Sequence, residues 1–249
     1  MSESADIDRM RGWLREAQRV ALLTGAGMSA ESGIATFRDA LSGLWSRFDP
    51  EQLASEDGFR ADPRRVWDWY AERRDAVRRA APNAGHAALA DFAQRRPGVL
   101  TVITQNVDDL HQRAGVVDAI RLHGDILADR WLEPCARVPG CDTASASPGR
   151  PPRCAECRNL VRPAVVWFGE MLPLAAIDAA ERAAQRCDVM LVVGTSGVVW
   201  PAAGLAAMAR RAGAKVLIVN PHASDIDADA QLVLRGTAAT LLPALLRAA

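Results

Sequence analysis

Short apolar runs alternate along the chain with stretches in which apolar residues recur at helical spacing. The apolar runs, each rich in Val, Ile or Leu, lie at residues 20–25, 99–104, 189–194 and 216–220 and predict buried strands. Helical spacing is clearest at residues 7–19, 175–186 and 202–211. Because continuous apolar strands alternate with helices, the pattern predicts an α/β fold in which helices cover both faces of a parallel sheet.

Two stretches interrupt this alternation. Residues 128–162 have no sustained period, and their prolines exclude regular structure through most of the stretch. Residues 38–64 are also predicted to be irregular, and a loop of that length in a compact domain is typical of a functional lid. We therefore predict one main domain, formed by residues 1–127 and 163–249, with an insert at residues 128–162. Part of the helical segment at about residues 40–85 is expected to join the insert in a small domain.

The composition excludes several classes of protein. Of the 249 residues, 49% are hydrophobic and 24% are charged, which excludes disorder, collagen and coiled coil for the whole chain. The 30 basic side chains balance the 30 acidic ones, so we expect neither nucleic acid nor membrane among the partners. No apolar run approaches the roughly 20 residues of a membrane span. The first residues lack the pattern of a secretory signal, and we expect a cytoplasmic protein.

A glycine turn follows the first predicted strand. Gly25, Gly27 and Ala30 fit the spacing with which α/β folds hold phosphate groups. A dinucleotide-binding unit of the dehydrogenase type continues into a second strand and an acidic residue about 20 positions later. Residues 31–39 contain a further glycine and no predicted strand, which disfavours a dehydrogenase. A turn that serves only the fold is the alternative.

Two polar side chains follow the next strand. Asn106 and Asp108 come after the run at residues 99–104, at the edge where open α/β sheets bind ligands. An amide and a carboxylate at this edge suit hydrogen bonding to a ribose or a polar ring. The alternative is that both side chains only cap the helix that follows.

The chain offers four histidines for proton transfer. His123 follows a short apolar run at residues 119–122, and histidine is the side chain best suited to moving a proton near neutral pH. A structural role is the alternative for His123. We expect His111 to be structural, and His86 and His222 to be ordinary surface or capping groups.

Four of the five cysteines form two pairs within one short stretch. Cys135 and Cys141 are separated by five residues, and Cys154 and Cys157 by two. Four thiolates in two pairs are what a tetrahedral structural zinc needs, and such a zinc would hold an irregular insert together. Unliganded thiols in a flexible loop are the alternative. We expect Cys187, which precedes a buried strand, to be a core residue.

Seven motifs occur in order along the chain, namely GAGMSAESGIATFRD, TQNVDDLH, LHGD, the two cysteine pairs, VVWFGE, GTSGVVWPAAG and VNP. In this combination the chain resembles the sirtuin family over nearly its whole length. The resemblance implies a Rossmann-like domain that binds NAD, a small zinc-binding module beside it, and an acyl-lysine protein or peptide as the second substrate. It also implies that NAD is consumed: the acyl oxygen attacks the ribose carbon as nicotinamide leaves, and a histidine then acts as general base on a ribose hydroxyl.

The resemblance assigns roles to individual residues. His123 matches the general base, and Asn106 and Asp108 match residues that line the nicotinamide pocket. Phe37 and Arg38 match the family's flexible lid, which helps to exclude water, and Arg38 completes the predicted catalytic set. The other implied NAD contacts are Gly25, Ala26, Gly27, Ser29, Glu31, Gln105, Gly194, Thr195, Ser196, Asn220, Pro221 and Ala238. The implied peptide contacts are Val166, Phe168 and Gly169.

Some members of the family carry a Tyr-x-x-Arg pair in the helix before an Asn-x-Gly-His segment, and those resemble removers of succinyl, malonyl or glutaryl groups. Tyr70, the only tyrosine of the chain, and Arg73 stand before the Asn-Ala-Gly-His segment at residues 83–86. Three positions apart on a helix, they project from one face. A guanidinium beside a phenol suits a carboxylate at the end of an acyl chain. Chance spacing is the alternative in a chain this rich in arginine.

The zinc insert departs from the family's pattern, because Arg130 and Trp131 stand where its first cysteine is usual. Cys135 and Cys141 are the available substitutes, so we predict one structural zinc per chain with an atypical first pair. The function predicted is an NAD-dependent protein-lysine deacylase that prefers succinyl-, malonyl- or glutaryl-lysine, with some deacetylase activity. The alternatives are an enzyme that is mainly a deacetylase, a protein ADP-ribosyltransferase on the same fold, and an idle NAD-responsive binding module. We expect a monomer.

Overall fold

The computed structural model of the protein describes residues 3–35, 49–134 and 142–247. Phe37 and Arg38 of the predicted lid, and Cys135 and Cys141 of the predicted zinc site, lie outside the described residues. The chain divides into two compact units. We call Met1–Thr36, Ala80–Leu122 and Leu172–Ala249 the sheet unit, and Phe37–Arg79 and His123–Met171 the small unit. The predicted division into residues 1–127 with 163–249 and residues 128–162 stays a prediction.

The described residues form strands and helices with the following bounds. In chain order the strands are β1 (Val20–Thr24), β2 (Leu100–Thr104), β3 (Ile120–Arg121), β4 (Gly124–Trp131), β5 (Val161–Val165), β6 (Val189–Val193), β7 (Lys215–Val219) and β8 (Leu232–Leu234). The helices are α1 (Glu3–Glu16), α2 (Pro50–Leu53), α3 (Glu56–Ala61), α4 (Pro63–Arg79), α5 (Ala84–Arg95), α6 (Leu110–Ala114), α7 (Leu174–Arg186), α8 (Gly204–Arg211) and α9 (Ala238–Leu246). Within these described elements, no helix is both long and apolar enough to cross a membrane.

The sheet unit contains a six-stranded parallel sheet in the order β3-β2-β1-β6-β7-β8. All five residues of β1 and of β6 are buried, as expected for central strands covered on both faces. The parallel α/β sheet predicted from the apolar runs is therefore confirmed. β8 was not predicted, because its three residues are too few to show a pattern.

Helices cover the two faces of this sheet. One face packs against α1, α5 and α9, and the other packs against α7 and α8. α1, α7 and α8 were predicted, but α9 was not. Pro243 lies inside α9, and proline disfavours a helix interior. The residues around it are mostly apolar, so the sequence shows no amphipathic stripe that would indicate a helix.

The strand order reverses beside β1. The chain continues from β1 to β2 and β3 on one side, whereas β6, β7 and β8 follow one another on the other side. In open parallel sheets, ligands bind outside the carboxyl ends of the strands at such a reversal. The residues that follow Thr24 and Val193 therefore lie where such sheets bind ligands.

In its described part, the small unit combines an antiparallel strand pair with the helices α2, α3 and α4. β4 pairs with β5, and α4 buries an apolar face that includes Trp69 and Tyr70. Arg74 fastens α4 to β4: its Nε donates to the Ile126 carbonyl over 2.6 Å, and its Nη2 donates to Asp129 Oδ1 over 2.6 Å.

Residues 38–64 were predicted to be irregular, and this is wrong for the part that the structure describes. α2, α3 and the start of α4 occupy residues 50–64. Ser55 caps α3 by accepting a hydrogen bond from the Gly58 amide over 3.0 Å, and Phe59 is fully buried. α2 and α3, of four and six residues, are too short to show a helical period. The irregularity predicted for the proline-rich stretch is confirmed at residues 142–160, which form one short 3-10 helix (Thr143–Ser145), turns and isolated bridges.

Candidate functional site

Two glycine turns meet at the reversal point of the sheet. The Gly25 amide donates to the Val193 carbonyl over 3.0 Å, and the Gly27 amide donates to the Gly194 carbonyl over 2.8 Å. A Cβ on Gly27 would lie 2.7 Å from Gly194 Cα, and a Cβ on Gly194 would lie 2.6 Å from the carbonyl carbon of Gly27. Gly194 also has a φ of 62°, in the left-handed region that disfavours side chains. Only glycine permits this approach, which leaves bare backbone at the edge of the sheet.

Three buried polar side chains lie beside the first glycine turn. The Ser29 hydroxyl donates to Asp108 Oδ2 over 2.9 Å, and Asn106 Nδ2 donates to Ser29 Oγ over 3.1 Å. Each of the three residues is at most 8% exposed. Burial raises the pKa of Asp108 above its ordinary value, while hydrogen bonds from the Leu110 amide and Ser29 act in the opposite direction. Ser29, Asn106 and Asp108 thus form one connected cluster, which we call the Ser-Asn-Asp cluster.

Asp108 makes one contact that fits a helix cap and one that fits a ligand site, the two interpretations of its position in the sequence. Its Oδ1 accepts a hydrogen bond from the Leu110 amide over 3.0 Å at the start of α6, and its Oδ2 belongs to the Ser-Asn-Asp cluster. The capping role and the place in the cluster therefore coexist in one carboxylate.

A second set of polar contacts joins the ends of β2, β6 and β7. Gln105 Nε2 donates to Thr195 Oγ1 over 3.0 Å, and Asn220 Nδ2 donates to the Thr195 carbonyl over 2.8 Å. Thr195 and Asn220 are each 8% exposed, whereas Ser196 and Pro221 are exposed. The predicted residues at these three strand ends are neighbours at one edge of the sheet.

Glu31 and Ala238 lie at the start of α9. Glu31 Oε2 accepts a hydrogen bond from the Ala239 amide over 2.9 Å, and Ala238 is buried. A carboxylate at a helix N-terminus is favoured by the helix dipole and by the unpaired amides there. Glu31 thus connects the glycine turn to α9.

His86 and His111 form a buried pair in the sheet unit. Their ring centroids are 5.0 Å apart, and His111 Nε2 lies 3.1 Å from Thr24 Oγ1. Burial lowers the pKa of His86 to about 4 and that of His111 to about 3. The structural role predicted for His111 fits these contacts. Of the two roles predicted for His86, surface or capping, the structure shows capping: His86 caps α5 and is fully buried.

His123 belongs to the small unit, where it directly precedes β4. It is half-buried, and its backbone carbonyl accepts a hydrogen bond from the Val166 amide over 2.9 Å. The backbone contact joins two predicted site residues, His123 and Val166. His222 is exposed and Cys187 is buried, as predicted, and burial raises the pKa of the Cys187 thiol to about 11.

Tyr70 and Arg73 lie together on α4. Tyr70 is 2% exposed, and the guanidinium carbon of Arg73 lies 5.4 Å from the centroid of its ring and 4.6 Å from that of Trp69. Trp167 Nε1 donates a hydrogen bond to Tyr70 Oη over 2.9 Å. The shared helix face predicted for Tyr70 and Arg73 is therefore present, with Trp167 as an additional neighbour.

The segment after β5 already uses part of its backbone within the small unit. The Phe168 amide donates to the Ala54 carbonyl over 2.8 Å, and the Trp167 amide donates to Glu170 Oε2 over 2.8 Å. The Phe168 side chain is 48% exposed, and Gly169 has a φ of 84°. Part of the backbone that an added strand would need is therefore already paired.

Cys154 and Cys157 bracket a tight turn. The Cys154 amide donates to the Asn159 carbonyl over 2.8 Å, and the Arg158 amide donates to the Cys154 carbonyl over 3.1 Å. Across residues 3–35, 49–134 and 142–247, no group of three or more His, Cys, Asp or Glu side chains could hold a metal ion. The described part of the predicted zinc site therefore supplies two of its four thiolates.

The geometry of the sheet edge agrees with the family to which the sequence can be matched. A family model described as the Sir2 family matches residues 25–201, which is more than half of the chain. The chain belongs to the Sir2 family. This membership confirms the resemblance to sirtuins that the seven motifs indicated.

Several Sir2 relatives match over almost their whole length. An NAD-dependent protein deacylase of Ralstonia nicotianae is 54% identical over 246 residues, which cover 99% of this chain and 98% of that protein. NAD-dependent protein deacylase 1 of Pseudomonas aeruginosa is 47% identical over 241 residues, which cover 95% of this chain and 96% of that protein.

Solved Sir2 structures are similar in fold. A Sir2 homolog in complex with NAD has a TM-score of 0.85 at 42% identity, and the match covers 96% of this chain and 92% of that one. Sir2Tm bound to a propionylated peptide has a TM-score of 0.81 at 30% identity, and the match covers 97% of each chain.

The sequence of this Sir2 chain did not reveal three residues that hold the glycine turn or the Tyr70 hydroxyl in place. Asn83 caps α5 and donates from its Nδ2 to the Met28 carbonyl over 2.9 Å, which anchors the glycine turn. An Asn directly before a helix is a recognisable capping signal. Arg162 and Trp167 gave no such signal, because their partners are set by tertiary packing.

Proposed function

We propose that this chain is an NAD-dependent protein-lysine deacylase, which transfers an acyl group from lysine to ADP-ribose and releases nicotinamide. The observation that carries this proposal is the buried Ser-Asn-Asp cluster beside two touching glycine turns, at the reversal point of a Sir2-family sheet. The relatives named NAD-dependent protein deacylases support it. NAD is a reactant in this proposal and leaves as a product.

The described residues fit NAD chemically. The bare backbone at Gly25, Gly27 and Gly194 suits a pyrophosphate, which approaches closely only where no side chain intervenes. Buried amide, hydroxyl and carboxylate groups suit the nicotinamide amide and the ribose hydroxyls. We assign the remaining NAD contacts to Ala26, Ser29, Glu31, Phe37, Arg38, Gln105, Asn106, Asp108, Thr195, Ser196, Asn220, Pro221 and Ala238.

His123 is assigned the proton transfer. In the proposed reaction the acyl oxygen attacks the ribose carbon as nicotinamide leaves, and His123 then accepts a proton from a ribose hydroxyl. A weak amide nucleophile needs close orientation and a site without water, which we assign in part to the lid at Phe37 and Arg38. Val166, Phe168 and Gly169 are assigned to the peptide backbone.

Product analysis with His123→Tyr tests this reaction. The variant should lose roughly 10²-fold or more of its turnover, because general base catalysis contributes that much. Mass spectrometry of the wild-type reaction should show O-acyl-ADP-ribose together with free lysine. Accumulation of ADP-ribosylated protein without O-acyl-ADP-ribose would favour the ADP-ribosyltransferase instead. Variant His222→Tyr, at an exposed histidine, serves as the matched control and should keep its turnover.

We further propose that the enzyme prefers acyl groups that end in a carboxylate, such as succinyl, malonyl or glutaryl, and has weaker deacetylase activity. The support is the phenol of Tyr70 beside the guanidinium of Arg73 on one face of α4. A hydrogen bond from a neutral donor and a charge-assisted one from arginine would both favour a carboxylate.

Variants Tyr70→Phe and Arg73→Met test this preference on one peptide that carries either a succinyl or an acetyl group. Each change should lower the ratio of succinyl to acetyl kcat/KM by roughly tenfold, the value of one hydrogen bond to a charged group. Variant Arg78→Met, at an exposed arginine of the same helix, should keep the ratio. Unchanged ratios in both test variants would refute the assignment.

We propose one structural zinc held by Cys135, Cys141, Cys154 and Cys157. The tight turn between Cys154 and Cys157 suits two ligands of a tetrahedral site. Elemental analysis should find one zinc per chain in the wild type and in Cys187→Ser, and much less in Cys154→Ser. Well under one zinc per wild-type chain would refute this site. The monomeric state and the cytoplasmic location stay predictions.

A further inference from the structure

Among the described residues the hydroxyl of Tyr70 has one hydrogen-bond partner, and the chemistry of that partner fixes the direction of the phenolic proton. Trp167 Nε1 can only donate, so over the observed 2.9 Å the Tyr70 oxygen must be the acceptor. Conjugation with the ring keeps a phenolic O–H in the ring plane, where it has two opposite orientations. With one orientation taken by the indole N–H, the proton of Tyr70 must occupy the other. Among the described residues, the structure shows no acceptor for that proton.

Trp167 is itself held in place by an ion pair whose arginine is buried. The guanidinium carbon of Arg162 lies 3.3 Å from the Trp167 ring centroid, and Arg162 is fully buried. Glu170 binds Arg162 through both carboxylate oxygens, and its Oε2 also accepts the Trp167 amide over 2.8 Å. The Phe59 ring centroid lies 5.2 Å from the ring centroid of Trp167. Rotation of the indole would break these contacts together.

The ionisation of these groups keeps the arrangement intact near neutral pH. Burial raises the pKa of the Tyr70 phenol, so the hydroxyl retains its proton. Burial alone would raise the pKa of Glu170, but hydrogen bonds from Arg162 and from the Trp167 amide lower it below its ordinary value. The ion pair therefore stays charged while the phenol stays neutral.

We propose that Trp167 is a positioning residue for acyl recognition: its indole N–H occupies the acceptor side of the Tyr70 oxygen and so presents the phenolic proton as a donor to the terminal carboxylate of a succinyl-, malonyl- or glutaryl-lysine. This inference rests on the proposed preference for acidic acyl groups. Trp167 acts through Tyr70 and makes no contact with the substrate in this scheme. The Arg162–Glu170 pair has the role of holding the indole.

A double-mutant cycle separates this role from simple packing. Trp167→Phe keeps an aromatic ring beneath Arg162 but removes the N–H. It should lower the ratio of succinyl to acetyl kcat/KM by about threefold, because both orientations of the phenolic proton become available and the polarisation by the indole is lost. The loss should appear mainly in KM for the succinyl peptide. In a Tyr70→Phe background the same change should leave the ratio as it is, because the proton that Trp167 orients is already absent.

The outcomes distinguish this inference from the proposal on which it rests. If the wild type does not favour succinyl over acetyl, the acidic-acyl preference is wrong. If the wild type and Tyr70→Phe behave as proposed but Trp167→Phe keeps the wild-type ratio, the role of Trp167 alone is wrong. An equal loss in both backgrounds also contradicts it, because the effect would then not pass through the phenol. The matched control is Trp13→Phe, which removes an indole N–H from α1 of the sheet unit and should keep the ratio.

A spectroscopic readout on the wild type avoids any effect of substitution on folding. Because Tyr70 is the only tyrosine, the tyrosine Fermi doublet in the Raman spectrum reports this phenol alone. Without peptide, the intensity ratio should be that of an oxygen that accepts a hydrogen bond. A succinyl-lysine peptide should shift it toward the donor state, whereas an acetyl-lysine peptide should not. A donor-state spectrum before peptide is added would overturn the inference.

Discussion

The two units of the chain position polar groups by different means. In the sheet unit, short polar side chains and bare glycine backbone follow from the ends of regular parallel strands, as at Gly194 and Asn106. In the small unit, long arginines and aromatic rings position one another, as Arg162 does with Trp167. The first arrangement is fixed by backbone geometry, and the second is fixed by side-chain packing.

This difference predicts how each unit responds to substitution. A change at the sheet edge should act through the backbone and disturb every reaction that uses NAD. A change in the small unit should act through one side chain at a time, and at Tyr70 or Arg73 it should alter which acyl group is accepted. Substitutions in each unit test this distinction.

Gly194→Ala should have the largest effect. The added Cβ would lie 2.6 Å from the Gly27 backbone, at a residue whose φ of 62° already disfavours alanine. Strain and overpacking together should lower the free energy of unfolding by about 4 kcal/mol and weaken NAD binding. Thermal denaturation with and without NAD measures both effects. The control is Gly12→Ala in α1, where a Cβ meets nothing within 4 Å and should stabilise slightly. Equal stability of the two variants would contradict the account of the sheet edge.

Arg162→Met should have the next largest effect. Removal of a buried partner leaves the Glu170 carboxylate without its ion pair, at a cost of about 3 kcal/mol in the free energy of unfolding. Adding Glu170→Gln to this variant should recover part of the loss, because the uncompensated charge is then gone. Arg19→Ala removes an exposed pair with Asp188 and should cost less than about 1 kcal/mol. Urea denaturation of the four proteins measures these differences, and a loss in Arg162→Met no larger than in Arg19→Ala would refute the role of the pair.

The buried pair of His86 and His111 should make the sheet unit sensitive to acid. In the folded protein their pKa values are about 4 and about 3, below the ordinary value of 6.5. Between pH 6.5 and these values the unfolded chain therefore binds more protons than the folded protein. Stability should therefore be full above pH 6.5 and fall as the pH drops toward 4. His111→Asn should flatten this dependence, measured as the unfolding midpoint against pH. The exposed control His222→Asn should keep the wild-type slope.

The sequence predicts the sheet unit better than the small unit for a physical reason. Central strands such as β1 and β6 are continuous apolar runs, and the carboxyl-edge rule then brings Asn106 and Thr195 to one edge. The contact between Gly27 and Gly194 could not be predicted from the sequence, because the two residues are far apart in the chain and only the strand order brings them together.

In the small unit, local signals are weak. Tyr70 and Arg73 share a helix face, so their spacing alone predicts that they are neighbours. Trp167 lies 97 positions from Tyr70, and the hydrogen bond between them depends on how β5 and α4 pack. α2 and α3 were missed because helices of four and six residues are too short to show a period.

One comparison of two variants tests the division between the units most directly. Steady-state kcat/KM is measured for succinyl- and acetyl-lysine in one peptide, with the wild type, Asn106→Ala and Tyr70→Phe. Asn106→Ala should lower both values by roughly tenfold or more and leave their ratio unchanged, whereas Tyr70→Phe should lower the ratio. A ratio that changes in Asn106→Ala as much as in Tyr70→Phe would contradict the assignment of NAD binding to the sheet edge and of acyl choice to Tyr70.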